Sequence, residues 1–370
     1  MKITMKTAEL VKALYRVQGI ADKNSTMPIL SHVLLNATSN QLVVSATDMD
    51  VGVSGTYEAI VNSKGAAVIP ARQLYEIIKS LNNETVELEK KENNWLEVIS
   101  GASRFRLVGL AADEFPALPI HEQTNSFSLD TSILSKLIER TIFCVSSDDN
   151  RHNLSGVYCE AVDKNLLRLV ATDGHRLALA EYKCDFNIPI ERGVIMPRKG
   201  FQELKRVLAD NSEKLTHVDL GFANNSGVIK AGSVVLSTRL IEGQFPNYTQ
   251  VIPASCDKKA VINCKAFAEA LRRVSLLSHG HAHGVRLQFT NEAVELVAED
   301  PELGEAREQI QLSYDGTPIS IGFNARYLLD VLTLIDNEEI TLELIDDLSP
   351  AVLKPADTKG FLAVVMPMRI

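Results

Sequence analysis

The chain contains no uninterrupted apolar run approaching the ~18 residues that a membrane-spanning helix needs, so no helical membrane segment is expected. Its first residues, Met1-Lys-Ile-Thr-Met-Lys6, lack the apolar centre of a secretion signal. Cysteine is scarce: five residues, at 144, 159, 184, 256 and 264, form an odd set without ligand-like spacing. That excludes a disulfide framework and points to reduced thiols in a cytoplasmic protein. There is no glycine-rich phosphate loop, no dinucleotide fingerprint and no His-Glu-x-x-His helix. The commonest nucleotide- and zinc-dependent enzyme classes are thereby excluded, and no cofactor or metal is expected. No low-complexity tract interrupts the chain. The single tryptophan, Trp95, follows an Asn93-Asn94 turn and reads as a packing residue.

What the chain does contain is a pattern written three times. The copies are Asn40-Gln-Leu-Val-Val-Ser-Ala-Thr-Asp48, Asn165-Leu-Leu-Arg-Leu-Val-Ala-Thr-Asp173 and Asn291-Glu-Ala-Val-Glu-Leu-Val-Ala-Glu-Asp300. Their last aspartates stand 125 and then 127 positions apart. A solenoid repeat runs only about 20–50 residues, whereas a small domain runs about 100–150. Other landmarks keep step. Leu30-Ser31-His32-Val33 matches Leu154-Ser155-Gly156-Val157, and Phe115-Pro116 matches Phe245-Pro246. One domain is therefore expected three times, over 1–124, 125–253 and 254–370.

Each copy holds two helix-like segments, marked by apolar periodicity. The first set is 7–22, 131–146 and 264–278; the second is 71–82, 198–209 and 325–336. Leu134, Leu137 and Ile138 form one apolar stripe, and Phe201, Leu204 and Leu208 another. Pro70 and Pro197 lie at helix starts, where a missing N–H does no harm. Between helices the period shortens to two, as in Val218-Asp-Leu-Gly-Phe222, followed by an Asn224-Asn-Ser-Gly227 turn. Each copy thus reads as a doubled β-α-β-β-β half, in an α+β fold of mainly antiparallel sheet.

Charge is distributed unevenly. The chain carries −9, which taken alone disfavours a nucleic-acid partner. The six helical segments together carry +6, leaving −15 for the remainder; only 324–337 is negative, at −1. Basic residues recur four apart, as in Lys12/Arg16 and Lys136/Arg140, on what reads as the non-core stripe. A positive helical surface on a negative body binds a polyanion in one place and repels it elsewhere.

Three segments invite a chemical reading. Asp173 and His175, in Thr172-Asp-Gly-His-Arg176, could act as base and orienter, which leaves a hydrolase open. The repeat weakens that reading, because Thr-Asp recurs without the histidine at Thr47-Asp48. It fits a corner in which side chains bond to backbone, with Gly174-His175-Arg176 as a binding feature of the middle copy. His279, His281 and His283 alternate, but flanking glycines and the lack of an acidic or thiol partner argue against a metal site. The end of the chain, Phe361-Leu-Ala-Val-Val-Met-Pro-Met-Arg-Ile370, is apolar almost throughout. A last strand stopped by Pro367 leaves Met366 and Met368 near the surface, and flexible methionines suit a groove for apolar partners. A monomeric peptide-binding module is the other open reading.

The Ala171-Thr-Asp-Gly-His-Arg-Leu177 segment, the Phe245-Pro-Asn-Tyr248 close of the middle copy and the Val364-Val-Met-Pro-Met-Arg-Ile370 ending together resemble the bacterial DNA polymerase III beta subunits, the sliding clamps. The resemblance covers the whole chain. It implies three tandem clamp domains in a ring-forming, head-to-tail homodimer, with helices lining the hole and sheets outside. It further implies a processivity factor without catalysis, encircling duplex DNA and tethering the DNA polymerase III catalytic subunit, the clamp loader and other replication and repair proteins. A partner-peptide pocket would comprise Leu154, Thr172, Gly174, His175, Arg176, Leu177, Pro246, Val251, Leu348, Pro350, Val364, Val365, Met366, Pro367 and Met368. Gln250 and Leu348 stand where some relatives differ, which alters the rim. Phe105 and Leu107 would meet Leu276 and Leu277 at the dimer interface. Lys23, Arg72, Lys136, Arg198, Lys199, Lys205 and Arg272 would face DNA.

Overall fold

The computed structural model describes residues 1–21, 27–118, 125–148, 150–209, 215–223, 225–278, 283–335, 337–356 and 359–370. Six α-helices occur among them: α1 (Thr7–Gln18), α2 (Ala71–Ser80), α3 (Thr131–Ile142), α4 (Arg198–Leu208), α5 (Cys264–Val274) and α6 (Ala325–Leu332). Each begins where the apolar periodicity places it and ends a few residues sooner. α5, for example, tightens into a 3-10 turn over Ser275–Leu277. Pro70 and Pro197 occupy the position just before the first helical residue of α2 and α4. In the third copy asparagines stand there instead. Asn263 accepts a hydrogen bond from Ala266 N at 3.0 Å, and Asn324 accepts one from Arg326 N at 2.9 Å. Each satisfies a backbone donor that the helix start leaves unpaired.

The doubled half is visible throughout. Strand Lys2–Lys6, α1, then strands His32–Thr38, Gln41–Thr47 and Val51–Glu58 make the first half. Strand Gly65–Pro70, α2, then Thr85–Lys90, Trp95–Ser100 and Ser103–Val108 make the second. The same order recurs around α3, α4, α5 and α6, ending with strands Arg176–Lys183, Val234–Arg239, Gly304–Gln311 and Phe361–Val365. The pairings within these halves are antiparallel, for instance Val44↔Gly55 and Leu169↔Ala180.

Packing groups the chain into two compact units, Met1–Ser135 with Met196–Leu240, and Lys136–Ile195 with Ile241–Ile370. The units cut across the middle copy because its two halves join different sheets. In the first unit, strand Val51–Glu58 pairs with Val234–Arg239, placing Val53 opposite Leu236. In the second, strand Arg176–Lys183 pairs with Phe361–Val365, placing Leu177 opposite Val364. In both cases the last strand of a first half is sewn to the last strand of the following copy's second half. Two such strands, Ser103–Val108 and Gly304–Gln311, have no partner of this kind among the described residues, and each ends its sheet.

Two expectations about side chains are corrected. Arg16 does not lie on a solvent stripe: it is 1% exposed, its guanidinium 5.9 Å from the Tyr57 ring centroid and 3.5 Å from the Tyr57 hydroxyl. The i,i+4 spacing that joined it to Lys12 carries it round onto the apolar side, where the guanidinium finds an aromatic face. Trp95 is not a core residue either, at 39% exposed. It follows two asparagines with left-handed backbone, Asn93 at φ 54° and Asn94 at φ 61°, and begins a strand whose next residue, Leu96, points inward. All five cysteines are free; four are buried and Cys256 is half-buried.

Candidate functional site

The Thr-Asp sequence makes the corner that its repetition suggests. In the middle copy, Thr172 Oγ1 donates to Arg176 O at 2.6 Å and accepts from Gly174 N at 3.1 Å. Asp173 Oδ1 accepts from His175 N at 2.9 Å and Arg176 N at 3.0 Å. In the first copy, Thr47 bonds Val51 O and Met49 N, while Asp48 bonds Asp50 N and Val51 N. Asp300 repeats the acid's part, accepting from Glu302 N and Leu303 N. Short polar side chains here replace the backbone partners that the strand end lacks. The third corner residue is left-handed both as Gly174 (φ 87°) and as Met49 (φ 81°). Glycine suits the left-handed backbone at 174, and the atom nearest to a Cβ there is the mobile end of Arg151, Nη1 at 2.5 Å. With both its oxygens engaged by the corner and by Arg176, Asp173 is not placed to orient the His175 imidazole, which removes the structural basis for a hydrolase.

Beside this corner lies an apolar cluster. Leu154, Leu177 and Val364 pack with Val170, Leu179, Ile195, Phe245, Tyr248 and Val352, and all are buried. Tyr158 and Phe245 stack at 4.9 Å and 7°. Strand pairing assembles it: Leu177 is opposite Val364, Arg176 opposite Val365, and Ala351 opposite Val365. The strand stops at Val365, and the tail is then pinned twice. Met366 N donates to His175 O, and Met368 N to Gly322 O, both at 2.9 Å. A Cβ on Gly322 would meet Met368 O at 2.5 Å, so a side chain at 322 would lift the tail. Between the two pins Met366 stays 39% exposed, while Pro367 and Met368 are half-buried.

Apolar residues remain open at the rim. Val251 is 43% exposed at the end of the Tyr248–Val251 turn, close in sequence to exposed Pro246. Leu348 is 66% exposed, held outward where Asp346 accepts from Leu348 N and Ser349 N; half-buried Pro350 follows it into strand Ala351–Pro355. A buried floor with exposed apolar side chains above it can take an apolar ligand.

Sequence reasoning missed several residues that build this place. Phe245 and Tyr248 were legible in the motif but not assigned to the site. Tyr248 donates to Glu160 and receives a bond from Arg168 Nη1 at 2.7 Å; burial, then the Glu160 bond, push its hydroxyl up to about 12. Tyr327 and Asp330 on α6 gave no signal, because a helical period marks the buried face rather than a polar contact across the chain. The Tyr327 ring lies 4.5 Å from the Arg176 guanidinium carbon and 6.5 Å from the His175 ring.

The basic residues divide. Arg72, Lys136 and Arg272 are exposed on their helices. Lys205 is half-buried. Lys199 forms an ion pair with Asp48, and Arg198 is half-buried with its Nε lacking an acceptor. Other helical cations are also engaged within the chain, although Arg273 stays exposed. Arg206 donates to buried Glu203 at 2.7 Å, Arg273 to Glu308 at 2.5 and 2.9 Å, and Arg140 lies 5.3 Å from the Phe361 ring centroid. The positive helical excess thus overstates the charge offered to a partner. Lys23, His279 and His281 lie outside the described residues. On the free strand edge, Phe105 and Leu107 are half-buried and alternate with exposed Arg104 and Arg106; Leu276 is 77% exposed beside half-buried Leu277.

Known proteins match the chain from end to end. Family models for the DNA polymerase III beta subunit match as its N-terminal domain over residues 1–119, its central domain over 128–247 and its C-terminal domain over 249–369. The Pseudomonas putida beta sliding clamp is 38% identical, with all of both chains covered. Solved structures of sliding clamps bound to griselimycin, from Pseudomonas aeruginosa and Bartonella birtlesii, are 36% and 34% identical, cover all of both chains, and superpose with TM-scores of 0.93 and 0.95. With three family domains in order and full-length relatives, the chain belongs to the DNA polymerase III beta subunit family, the beta sliding clamps, which are non-enzymatic processivity factors of DNA replication.

Proposed function

We propose that two copies of this chain join head to tail into a closed ring around duplex DNA, and that the apolar site beside the Thr172-Asp173 corner tethers partner proteins. The observation that carries the reading is the pair of strand edges left over. Among the described residues, every other last strand of a half is sewn to one from a neighbouring copy of the repeat; Ser103–Val108 and Gly304–Gln311 are not. The pattern is completed when Ser103–Val108 of one chain pairs with Gly304–Gln311 of a second. An exposed edge of unpaired backbone groups invites that partner, and two such heterologous contacts close a dimer. Phe105 and Leu107 then face Leu276 and Leu277 across the new seam. The domains of the ring are residues 1–124, 125–253 and 254–370.

Arg72, Lys136 and Arg272, with Lys23, Arg198, Lys199 and Lys205, supply phosphate contacts. Such contacts carry no sequence information, so they allow sliding. Partners such as the DNA polymerase III catalytic subunit and the clamp loader insert a short apolar peptide between the Leu154/Leu177/Val364 floor and the Met366–Met368 tail. The setting is the bacterial cytoplasm.

Loading onto circular duplex DNA, followed by linearisation, tests the ring. Retention on the closed circle and loss from the linear product is expected; equal retention on both would mean binding by affinity alone. Griselimycin, the ligand in the two relatives' structures, serves as a probe of the pocket. Calorimetric titration is expected to show one site per chain, lost when Met366–Ile370 is removed.

A further inference from the structure

The segment 324–337, which contains α6, carries the only negative balance among the six helical segments, and one of its acids has a specific use. Asp330 Oδ2 accepts from Arg176 Nη1 at 2.6 Å. The same guanidinium donates through Nε to Asp173 Oδ2 at 3.0 Å and through Nη2 to Phe143 O at 2.9 Å. Its central carbon lies 4.5 Å from the ring centroid of Tyr327, one helical turn before Asp330, and 5.3 Å from that of Phe143; the Tyr327 and His175 ring centroids are 6.5 Å apart. Arg176 is 11% exposed as a side chain and Asp330 35%. A planar fork with three acceptors and a ring beneath it has one orientation.

The first unit serves as an internal control. Counting from the first helical residue, Tyr327 corresponds to Gly200 and Asp330 to Glu203; counting from the corner acid, Arg176 corresponds to Val51. There the helical acid turns to Arg206 and the corner aspartate to Lys199. Of these two corners both have the helical acid, but the bridge from helix to corner through an arginine stands at the one beside the exposed His175 and Met366 rim.

We propose that Asp330 is a positioning residue of the peptide site. It locks Arg176 onto Tyr327, and so sets the wall formed by Gly174, His175 and the Met366 backbone pinned to it, without itself touching the peptide. The proposal rests on the reading of this site as the peptide pocket. Removing the Asp330 charge frees one arm of the guanidinium, and the rim loses its single geometry while the buried floor of Leu154, Leu177 and Val364 stays.

The test uses full-length protein and a fluorescein-labelled hexapeptide rich in leucine and phenylalanine, followed by anisotropy. If the unaltered chain and its Met366–Ile370 deletion give the same anisotropy, the pocket reading itself fails. If the unaltered chain binds, Asp330→Asn is expected to bind roughly tenfold more weakly with an unchanged melting midpoint, and Asp330→Glu to recover part of the loss. Arg176→Gln combined with Asp330→Asn is expected to be no weaker than Arg176→Gln alone. Unchanged affinity in Asp330→Asn, a loss matched by a fall in melting midpoint, or fully additive losses in the double variant would each overturn the proposal.

Discussion

Leu177 and Val364 are direct antiparallel partners in the second unit, although one ends the middle copy's corner and the other lies six residues from the chain's end. Both are at most 2% exposed. The floor of the candidate pocket therefore exists only once the last strand has docked. Leu177→Ala is expected to cost about 2–5 kcal/mol of stability and to weaken peptide binding with it, measured by denaturant unfolding and anisotropy. Ending the chain after Val365 is expected to separate the two: the strand and stability persist, while affinity drops because Met366–Met368 is gone. Peptide binding unchanged by that deletion would remove the tail from the pocket.

The unpaired edges make a prediction about assembly. Phe105→Arg places a charge opposite Leu276 and Leu277 in the proposed seam, and Leu276→Arg does the same from the other side. Each is expected to shift sedimentation from dimer to monomer at micromolar concentration. Leu276, at 77% exposed, has little to lose within its own chain, so its melting behaviour should otherwise be preserved.

Phosphate contact is read from salt dependence. Arg72→Ala, Lys136→Ala and Arg272→Ala, all at exposed positions, are each expected to weaken DNA binding equally across sequences. Each should reduce the log–log salt slope by about 0.9. Lys199→Ala is expected to add a second effect, loosening the Asp48 corner to which it is bound. A sequence-dependent loss would contradict non-specific phosphate contact.

Glu97 gives an acid-side prediction. It is 3% exposed as a side chain and receives Arg106 Nε at 3.0 Å, with Arg104 and Lys91 nearby. The Arg106 bond outweighs burial, and with Arg104 and Lys91 holds the carboxyl below its ordinary range. The stabilisation is therefore present above the unfolded-state value near 4.3 and lost as pH falls through the lower folded-state value. Glu97→Gln is expected to melt earlier than the unaltered protein at pH 7 and to converge with it in acid.

Tyr248 gives the alkaline counterpart. Its hydroxyl is pushed up to about 12 by burial and by Glu160, against about 10 for an ordinary tyrosine. The stability it supports is complete below pH ~10 and declines as pH rises through the folded-state value. The difference titration between the unaltered protein and Tyr248→Phe, read by phenolate absorbance, is expected to show one late-ionising group. A difference centred near 10 would contradict the buried setting.

Much of this was open to reading from residues alone. Repetition of Asn-to-Asp segments with helices between them sufficed for three copies of a doubled half, because periodicity and turn chemistry are local. The corner function of Thr172 and Asp173 was legible for the same reason, since their bonds reach only four residues. The ending around Met366 stood out because an apolar terminus is unusual. What local pattern could not reveal was which last strand joins which, because a strand's partner is chosen by burial of its faces across distant chain. Hence the packing units that split the middle copy, and the two edges left without partners among the described residues. Nor could charge counting tell an offered cation from a committed one. Arg16 and Lys136 look alike in sequence, yet one lies beneath a tyrosine in the core and the other in solvent. The sequence alone determined the repeat, the elements and the corners; the tertiary structure decided the seams between copies, the apolar cluster under the candidate pocket and the Arg176–Asp330 bridge, because each depends on contacts that only folding brings within reach.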